Sequence, residues 1–140
     1  MKFPLFVFIA IGFSVVASTT TLMAADKDSE GFQGVWDVVS AEWDGDKLPA
    51  EDAKSMTITF KGDKFVGTIK GKAEKEETFT LASGKKPKWI DMTPKSVGIY
   101  ELDGDQLKIR LNRDSSDRPT TFAGPTNKNE TLVLLKRRKK

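Results

Sequence analysis

YELDGDQLKIRL, residues Tyr100–Leu111, places Asp103 and Asp105 on either side of Gly104. The stretch could begin a calcium-binding loop, or it could be a tight turn between two strands. An EF-hand loop starting at Asp103 needs an oxygen ligand at its fifth position, glycine at its sixth and glutamate at its twelfth. The chain has leucine, lysine and aspartate there, so the calcium spacing fails. An Asp-Gly pair between alternating strands instead predicts a β-hairpin, because glycine accepts a positive φ and aspartate tolerates it.

The same turn pattern occurs three times, as Gly-Asp followed by a polar and then an apolar residue. The copies are GDKL at 45–48, GDKF at 62–65 and GDQL at 104–107. Short turns of this kind connect strands that are neighbours in the sheet, so most of the sheet is expected to be a meander. A meander of about eight strands removes its exposed edges most simply by closing on itself.

Alternation of apolar and polar residues predicts about eight strands at nearly regular spacing, with no long helical pattern between them. The first strand is expected over Val35–Glu42. Pro49, followed by Glu51 and Asp52, favours one short helical turn after that strand. The later strands are expected within MTITF, KFVGTIK, ETFTLA, KWIDMTP, VGIYEL, QLKIRL and ETLVLLK. The predicted fold class is all-β, a single antiparallel up-and-down barrel.

One long region, Asn112–Glu130, breaks the strand pattern. It is rich in serine, threonine, proline, glycine and asparagine, and Phe122 is its only large apolar residue. Long loops within compact domains tend to be functional or disordered. Phe122 is expected to dock on the barrel while the rest wraps its mouth or an edge.

The first residues have the order of a secretory signal peptide. Lys2 precedes the apolar run Phe3–Ala17, and STTTLMAAD then offers small residues for cleavage after Ala24 or Ala25. That run is shorter than the roughly 20 residues of a membrane-spanning helix, although an uncleaved anchor is the alternative. We therefore predict an exported protein, periplasmic or secreted. The predicted divisions are a signal peptide at 1–24, a linker at 25–31, a barrel domain at 32–136 and a basic tail at 137–140.

Cysteine and histidine are both absent from the 140 residues. Their absence excludes a thiolate nucleophile, a Ser-His-Asp triad and a Cys/His zinc site, and hydrophobic packing must stabilise the domain without disulfides. The remaining catalytic candidates are carboxylates, of which Glu42, Asp91 and Glu101 lie within predicted strands. A hydrolytic site would need two of them facing each other in one cleft. Nothing in their spacing indicates this, so no enzyme, cofactor or metal site is predicted.

The charge is concentrated at one end of the chain. There are 23 Lys and Arg residues against 20 Asp and Glu residues, and five of the positive charges form KRRKK at Lys136–Lys140. Nucleic-acid-binding domains usually spread basic and aromatic residues over one face, so no nucleic-acid partner is expected. The basic tail could attach the domain to an anionic envelope surface, or it could be a solvated chain end.

Several segments carry a family resemblance, in this order: QGVWDVVSAEWDGDKLP, MTITFKGDKF, KPKWIDMTP, VGIYELDGDQLKI, RPTTF and LLKR. Across Phe32–Arg137 the chain resembles an uncharacterised family of exported lipocalin-like domains found repeatedly in planctomycete bacteria. The resemblance implies a lipocalin-like barrel and brings no assigned activity. In lipocalins, a Gly-x-Trp in the first strand places the indole at the closed base, under a basic residue of the last strand. The matching residues here are Trp36 and either Lys136 or Arg137, as a cation–π pair.

A barrel of this size is either filled by its own side chains or holds one small ligand. The residues expected to point inward are Trp36, Val38, Met56, Ile58, Phe60, Phe65, Ile69, Phe79, Leu81, Ile90, Met92, Tyr100, Leu102, Leu107, Ile109, Leu111, Leu132 and Leu134. The predicted ligand-binding residues are Trp36, Phe60, Phe79, Tyr100 and Ile109, with Trp43 and Trp89 near the mouth.

The predicted function is non-catalytic binding of a small apolar or amphipathic molecule in the envelope. The alternative is an interaction module with a filled barrel, which acts through its loops and tail. A continuous cavity of roughly hundreds of cubic ångströms, open at one end, would distinguish the first function from the second.

Overall fold

The computed structural model describes residues 27–115 and 117–139, and these residues form ten strands and two short helices. The elements are α1 (27–32), β1 (Gly34–Trp43), β2 (Asp46–Lys47), α2 (Ala50–Lys54), β3 (Met56–Lys61), β4 (Lys64–Ile69), β5 (Lys72–Ala73), β6 (Glu77–Ala82), β7 (Lys88–Met92), β8 (Ser96–Asp103), β9 (Gln106–Asn112) and β10 (Glu130–Arg137). Within those two ranges, no helix has the length and apolar character needed to cross a membrane. The predicted signal peptide lies outside the described residues.

Eight of the strands close into an antiparallel up-and-down barrel, in the order β1-β3-β4-β6-β7-β8-β9-β10 and back to β1. The closing pair, β10 with β1, is joined by seven residue pairs from Trp36↔Arg137 to Trp43↔Thr131. Between β4 and β6 there are only two pairs, Lys64↔Thr78 and Phe65↔Glu77; we call this junction the β4–β6 seam. The predicted all-β barrel is confirmed, and so is the helical turn, α2, that follows the first strand.

The Asp-Gly stretch is a hairpin turn between β8 and β9. Asp103 pairs with Gln106, so Gly104 and Asp105 form a two-residue turn. Gly104 has a φ of 59°, in the left-handed region that glycine tolerates at no steric cost. The hairpin prediction is therefore confirmed at the position where the calcium spacing failed.

A β-bulge changes the facing of β1 halfway along its length. The register with β10 shifts between Val38 and Ser40, which leaves Val39 as the extra residue and 56% exposed. Trp36 and Val38 are buried before the bulge, and Ala41 is buried after it. Because a bulge reverses the alternation, both apolar parities in the sequence of β1 can face the interior.

The predicted facing of β10 is wrong at Leu132 and Leu134. The strand pairs Val133 with the inward-facing Ile109, and Val133 and Leu135 are buried. Leu132 and Leu134 therefore point to the outer face and are half-buried. The segment TLVLL is apolar at both parities, so alternation could not decide its facing, and pairing with β9 decided it instead.

The long loop between β9 and β10 packs on the outside of the barrel over Arg110. This side chain points outward from β9, is 4% exposed and donates hydrogen bonds of 2.9–3.1 Å to the carbonyl oxygens of residues 123–125. It also forms a 2.8 Å ion pair with Glu130. Phe122 is half-buried, and the Lys108 Nζ lies 5.3 Å from its ring centroid. The loop is therefore held mainly by a buried guanidinium and less by the phenylalanine that the sequence predicted.

Candidate functional site

One end of the barrel, the base, is filled by an aromatic side chain from α1. Phe32 has no exposed surface, and its ring centroid lies 5.0 Å from that of Phe60, 5.1 Å from Tyr100 and 5.6 Å from Phe79. We call these four residues the aromatic plug. The predicted linker at 25–31 is wrong for residues 27–31, because they form the helix that positions the plug.

A hydrogen-bonded cluster fastens α1 to the barrel wall. The Tyr100 hydroxyl donates to the Asp28 carboxylate at 2.5 Å, and the Lys88 ammonium lies 2.9 Å from the same oxygen. Burial would raise the pKa of Asp28, but the hydrogen bonds from Tyr100 and Lys88 outweigh it and leave that pKa lowered. Burial, reinforced by the hydrogen bond to Asp28, raises the pKa of Tyr100 well above its ordinary value. The cluster thus stabilises a charged aspartate and a neutral tyrosine.

The predicted cation–π pair lies beside the plug, and Arg137 is its cation. The Arg137 guanidinium carbon lies 4.4 Å from the ring centroid of Trp36. The Trp36 Nε1 donates to the Phe32 carbonyl oxygen at 2.8 Å, and Arg137 Nη1 donates to the Gln33 carbonyl oxygen at 2.7 Å. Lys136, the other predicted cation, is exposed. Arg137 therefore belongs to the barrel and not to a tail.

The basic tail is also partly engaged with the domain. Arg138 forms an ion pair with Asp37 at 2.5 Å, and this hydrogen-bonded contact raises the pKa of Arg138. Lys136 and Lys139 are exposed. Attachment of the tail to an anionic surface stays a prediction, with fewer exposed cations than the sequence suggested.

The other end of the barrel holds an open cavity of about 580 Å³, which we call the mouth cavity. All eight barrel strands contribute to its wall. The apolar lining residues are Trp43, Met56, Ile58, Phe65, Gly67, Ile69, Met92, Ile109, Leu111 and Val133. Several point inward yet keep exposed surface, and Ile69 is 36% exposed. The apolar wall at this end is therefore only partly covered by the protein's own side chains.

Polar groups gather at two opposite sides of the mouth. Beside the β9–β10 pair, Arg113 lines the cavity and donates to the Thr131 hydroxyl at 2.9 Å and to the Asp44 carboxylate at 2.6 Å. Across the ring of strands, at the β4–β6 seam, Glu77 accepts a 2.9 Å hydrogen bond from the Thr93 hydroxyl. Glu74 and Lys75 line the same side. The mouth therefore combines apolar walls with a polar rim, which is the usual make-up of a ligand pocket.

Two of the predicted ligand-binding residues, Trp43 and Ile109, line the mouth cavity. Four others were predicted wrongly as cavity walls, because Phe32 occupies the space between them at the base; these are Trp36, Phe60, Phe79 and Tyr100. The sequence placed Phe32 at the start of the domain and gave no sign that it would enter the barrel.

Trp89 is not near the mouth. It alternates with the inward-facing Ile90 and so lies on the outer face of β7, where it is 37% exposed. Its ring is flanked by the Arg118 guanidinium at 4.1 Å and the Lys85 ammonium at 4.6 Å. These cations cover an outward aromatic ring, which is a surface contact and no part of the cavity.

The three in-strand carboxylates also lie on the outer face. Glu42 accepts hydrogen bonds from the Thr126 backbone N–H at 2.6 Å and hydroxyl at 2.9 Å, which lower its pKa. Asp91 forms a 2.8 Å ion pair with Arg118, and Glu101 is exposed. None of the three lines the mouth cavity.

Sequence reasoning missed the polar residues of the rim, and it also missed Gly67, Arg113 and Val133. Val133 was hidden by the ambiguous facing of β10, and Arg113 by its place in a region read as a loop. Gly67 had a usable signal, because a glycine inside a strand pattern can mark a site that a ligand approaches closely.

No family model matches the chain, and no curated protein or solved structure matches it either. The resemblance to the planctomycete family therefore stays a prediction. Any functional conclusion depends on the barrel geometry described above.

Proposed function

We propose that this protein is a non-catalytic, exported binding protein that holds one small apolar or amphipathic molecule in the mouth cavity. The observation that carries the proposal is the cavity itself, about 580 Å³ in volume and walled by all eight strands. That volume lies within the roughly 300–1,000 Å³ of typical small-molecule sites. A barrel filled by its own side chains, which the alternative interaction module requires, would not contain such a cavity.

The apolar walls provide the driving force for binding. Met56, Ile58, Phe65 and Leu111 are only half-buried although they face the interior, and Ile69 is more exposed still. A ligand that covers this surface gains about 25 cal/mol for each Å² removed from water. The aromatic plug supplies the floor, because its four rings pack against one another at the base.

The polar rim favours an amphipathic ligand. An apolar body would enter the cavity, and a polar group would remain at the rim within reach of Arg113 and Thr131 or of Glu77 and Thr93. Arg113 and Glu77 each have a partner within the chain, so a ligand would exchange or share these contacts. Such groups orient a ligand and contribute specificity.

Fluorescence titration tests the proposal directly. N-phenyl-1-naphthylamine and dodecanoate are titrated into the protein, and probe fluorescence and tryptophan emission are recorded. Trp43 alone of the three tryptophans lines the cavity, so we expect saturable binding with a change in tryptophan emission that Trp43→Phe removes. If neither probe binds saturably, the proposal is contradicted.

A matched pair of variants locates the site. Leu111→Trp fills the cavity, whereas Leu134→Trp adds the same side chain to the outer face. We expect Leu111→Trp to weaken binding at least about tenfold, the equivalent of 1.4 kcal/mol, and Leu134→Trp to leave it unchanged. Circular dichroism checks that both variants remain folded. Equal affinities in the two variants would place the binding outside the cavity.

A further inference from the structure

Gly67 lies in the wall of the mouth cavity, in the middle of β4. It pairs with Ile58 of β3, between the pairs Met56↔Ile69 and Phe60↔Phe65, so it faces the interior with those residues. A Cβ atom added at Gly67 would meet nothing within 4 Å. The position is therefore an empty recess in the cavity wall.

Neither the backbone nor the packing requires glycine at this position. Gly67 is not among the glycines with positive φ, and the β3–β4 register is continuous through it without a bulge. Glycine inside a strand is unfavourable, because it loses more conformational freedom on folding and offers no side chain to pack. A β-branched residue would be expected at an inward position of an alternating strand.

Gly98 of β8 provides the contrast within the same barrel. It also lies inside a strand, but a Cβ there would overlap the Arg110 carbonyl oxygen and a methyl group of Leu111. Gly98 is thus explained by the close approach of its neighbours. Gly67 has no such explanation within the described part of the chain.

We propose that Gly67 is the specificity-determining position of the mouth cavity, and that the ligand is a ring-containing amphipathic molecule whose widest part packs against β4. The inference rests on the proposed function. A single unbranched chain on the barrel axis would leave the recess empty, whereas a flat ring can lie directly on a glycine backbone. Phe65, two residues along the same face, offers an aromatic surface beside it.

The recess adjoins the β4–β6 seam, which supplies the polar side of the site. The Gly67 carbonyl oxygen accepts a 2.7 Å hydrogen bond from the Glu74 backbone N–H, and Glu74 and Glu77 both line the cavity there. A ring placed on Gly67 would therefore have its polar substituent at the rim beside these carboxylates.

Three variants test the inference with the same two probes. N-phenyl-1-naphthylamine contains aromatic rings, whereas dodecanoate is an unbranched chain. Gly67→Val and Gly67→Ala fill the recess, and Val66→Ile adds bulk to the outer face of the same strand. We expect Gly67→Val to weaken N-phenyl-1-naphthylamine binding about tenfold or more, because the added methyl groups occupy the space of the ring. A loss of this size is comparable to the cost of inserting extra methyl groups into a packed core. Gly67→Ala should show a smaller loss, and Val66→Ile none. Dodecanoate binding should weaken less than about threefold.

Thermal unfolding supplies the second readout. Filling the recess should raise the melting temperature by about 3 °C or more, because glycine is unfavourable within a strand and the added Cβ meets no atom within 4 Å. A lower melting temperature would mean that the backbone needs glycine and would overturn the inference. Unchanged ring-probe binding in Gly67→Val, or equal losses for both probes, would overturn it while leaving the proposed function intact. Failure of the wild-type protein to bind either probe would overturn both.

Discussion

Tyr100 is the single tyrosine of the chain, and it joins the plug to the helix that carries it. Its ring packs against Phe32, while its hydroxyl donates to Asp28. One residue thus contributes both apolar contact and a charge-assisted hydrogen bond, which is the stronger kind. The sequence could show that Tyr100 points inward, but its partner lies 72 residues earlier in a segment without strand or helix periodicity.

The titration of Tyr100 is a direct test of this arrangement. Because the folded-state pKa is raised, its contribution to stability is present below the unfolded-state value of about 10 and is lost as the pH rises through the folded-state value. We expect no phenolate absorbance step near pH 10 while the protein is folded, and a step only where the chain unfolds.

Absorbance at 295 nm measures that step without ambiguity, since no other tyrosine contributes. Asp28→Asn should move the step to lower pH, although burial, the larger cause of the shift, remains. A reversible step near pH 10 in the folded wild-type protein would contradict the structure.

The strands and turns of this barrel can be predicted from the sequence, but helix α1 cannot. The strands were predictable because alternation reports the half-buried face of a sheet, and the turns because glycine marks positive φ. A six-residue helix is too short for a helical period to appear in its sequence, so the sequence of α1 predicts only a polar linker. The facing of β10 and the bulge at Val39 were decided by strand pairing, which local sequence does not contain.

The contribution of α1 can be measured by truncating its central contact. Phe32→Ala should reduce the free energy of unfolding by about 3–5 kcal/mol, the usual cost of removing a fully buried phenylalanine. Urea denaturation gives this value, and Glu30→Ala, on the exposed side of the same helix, is the control. A loss below about 1 kcal/mol would show that the plug does not hold the base.

At the scale of the whole molecule, the barrel is closed unevenly. β1 and β10 are joined along most of their length, whereas the β4–β6 seam has two residue pairs. Beyond those pairs, β4 turns its hydrogen bonds to β5. Sequence alone predicted closure but not which pair would be weakest, because that depends on how far each strand runs before diverging. Glu74, Lys75 and Glu77, which lie beside this junction, line the mouth cavity.

Hydrogen exchange should report this unevenness. Local opening occurs where few hydrogen bonds and little apolar burial hold the backbone. We expect the amide of Glu74, which donates to Gly67 beside the seam, to exchange at least about tenfold faster than those of β10 opposite β1, and to slow when the cavity is occupied by a bound probe. Uniform protection around the barrel, measured by exchange-resolved NMR, would argue against an opening at the seam.

The location of the aromatic plug at one end has a consequence for how such a protein can change over time. The stability of the fold depends on the aromatic plug, which lies at the base. Residues around the mouth can therefore be substituted without unfolding the chain. Homologues could keep the same aromatic plug and acquire a different ligand specificity through a few substitutions at the mouth. In this architecture, ligand specificity can therefore evolve independently of fold stability.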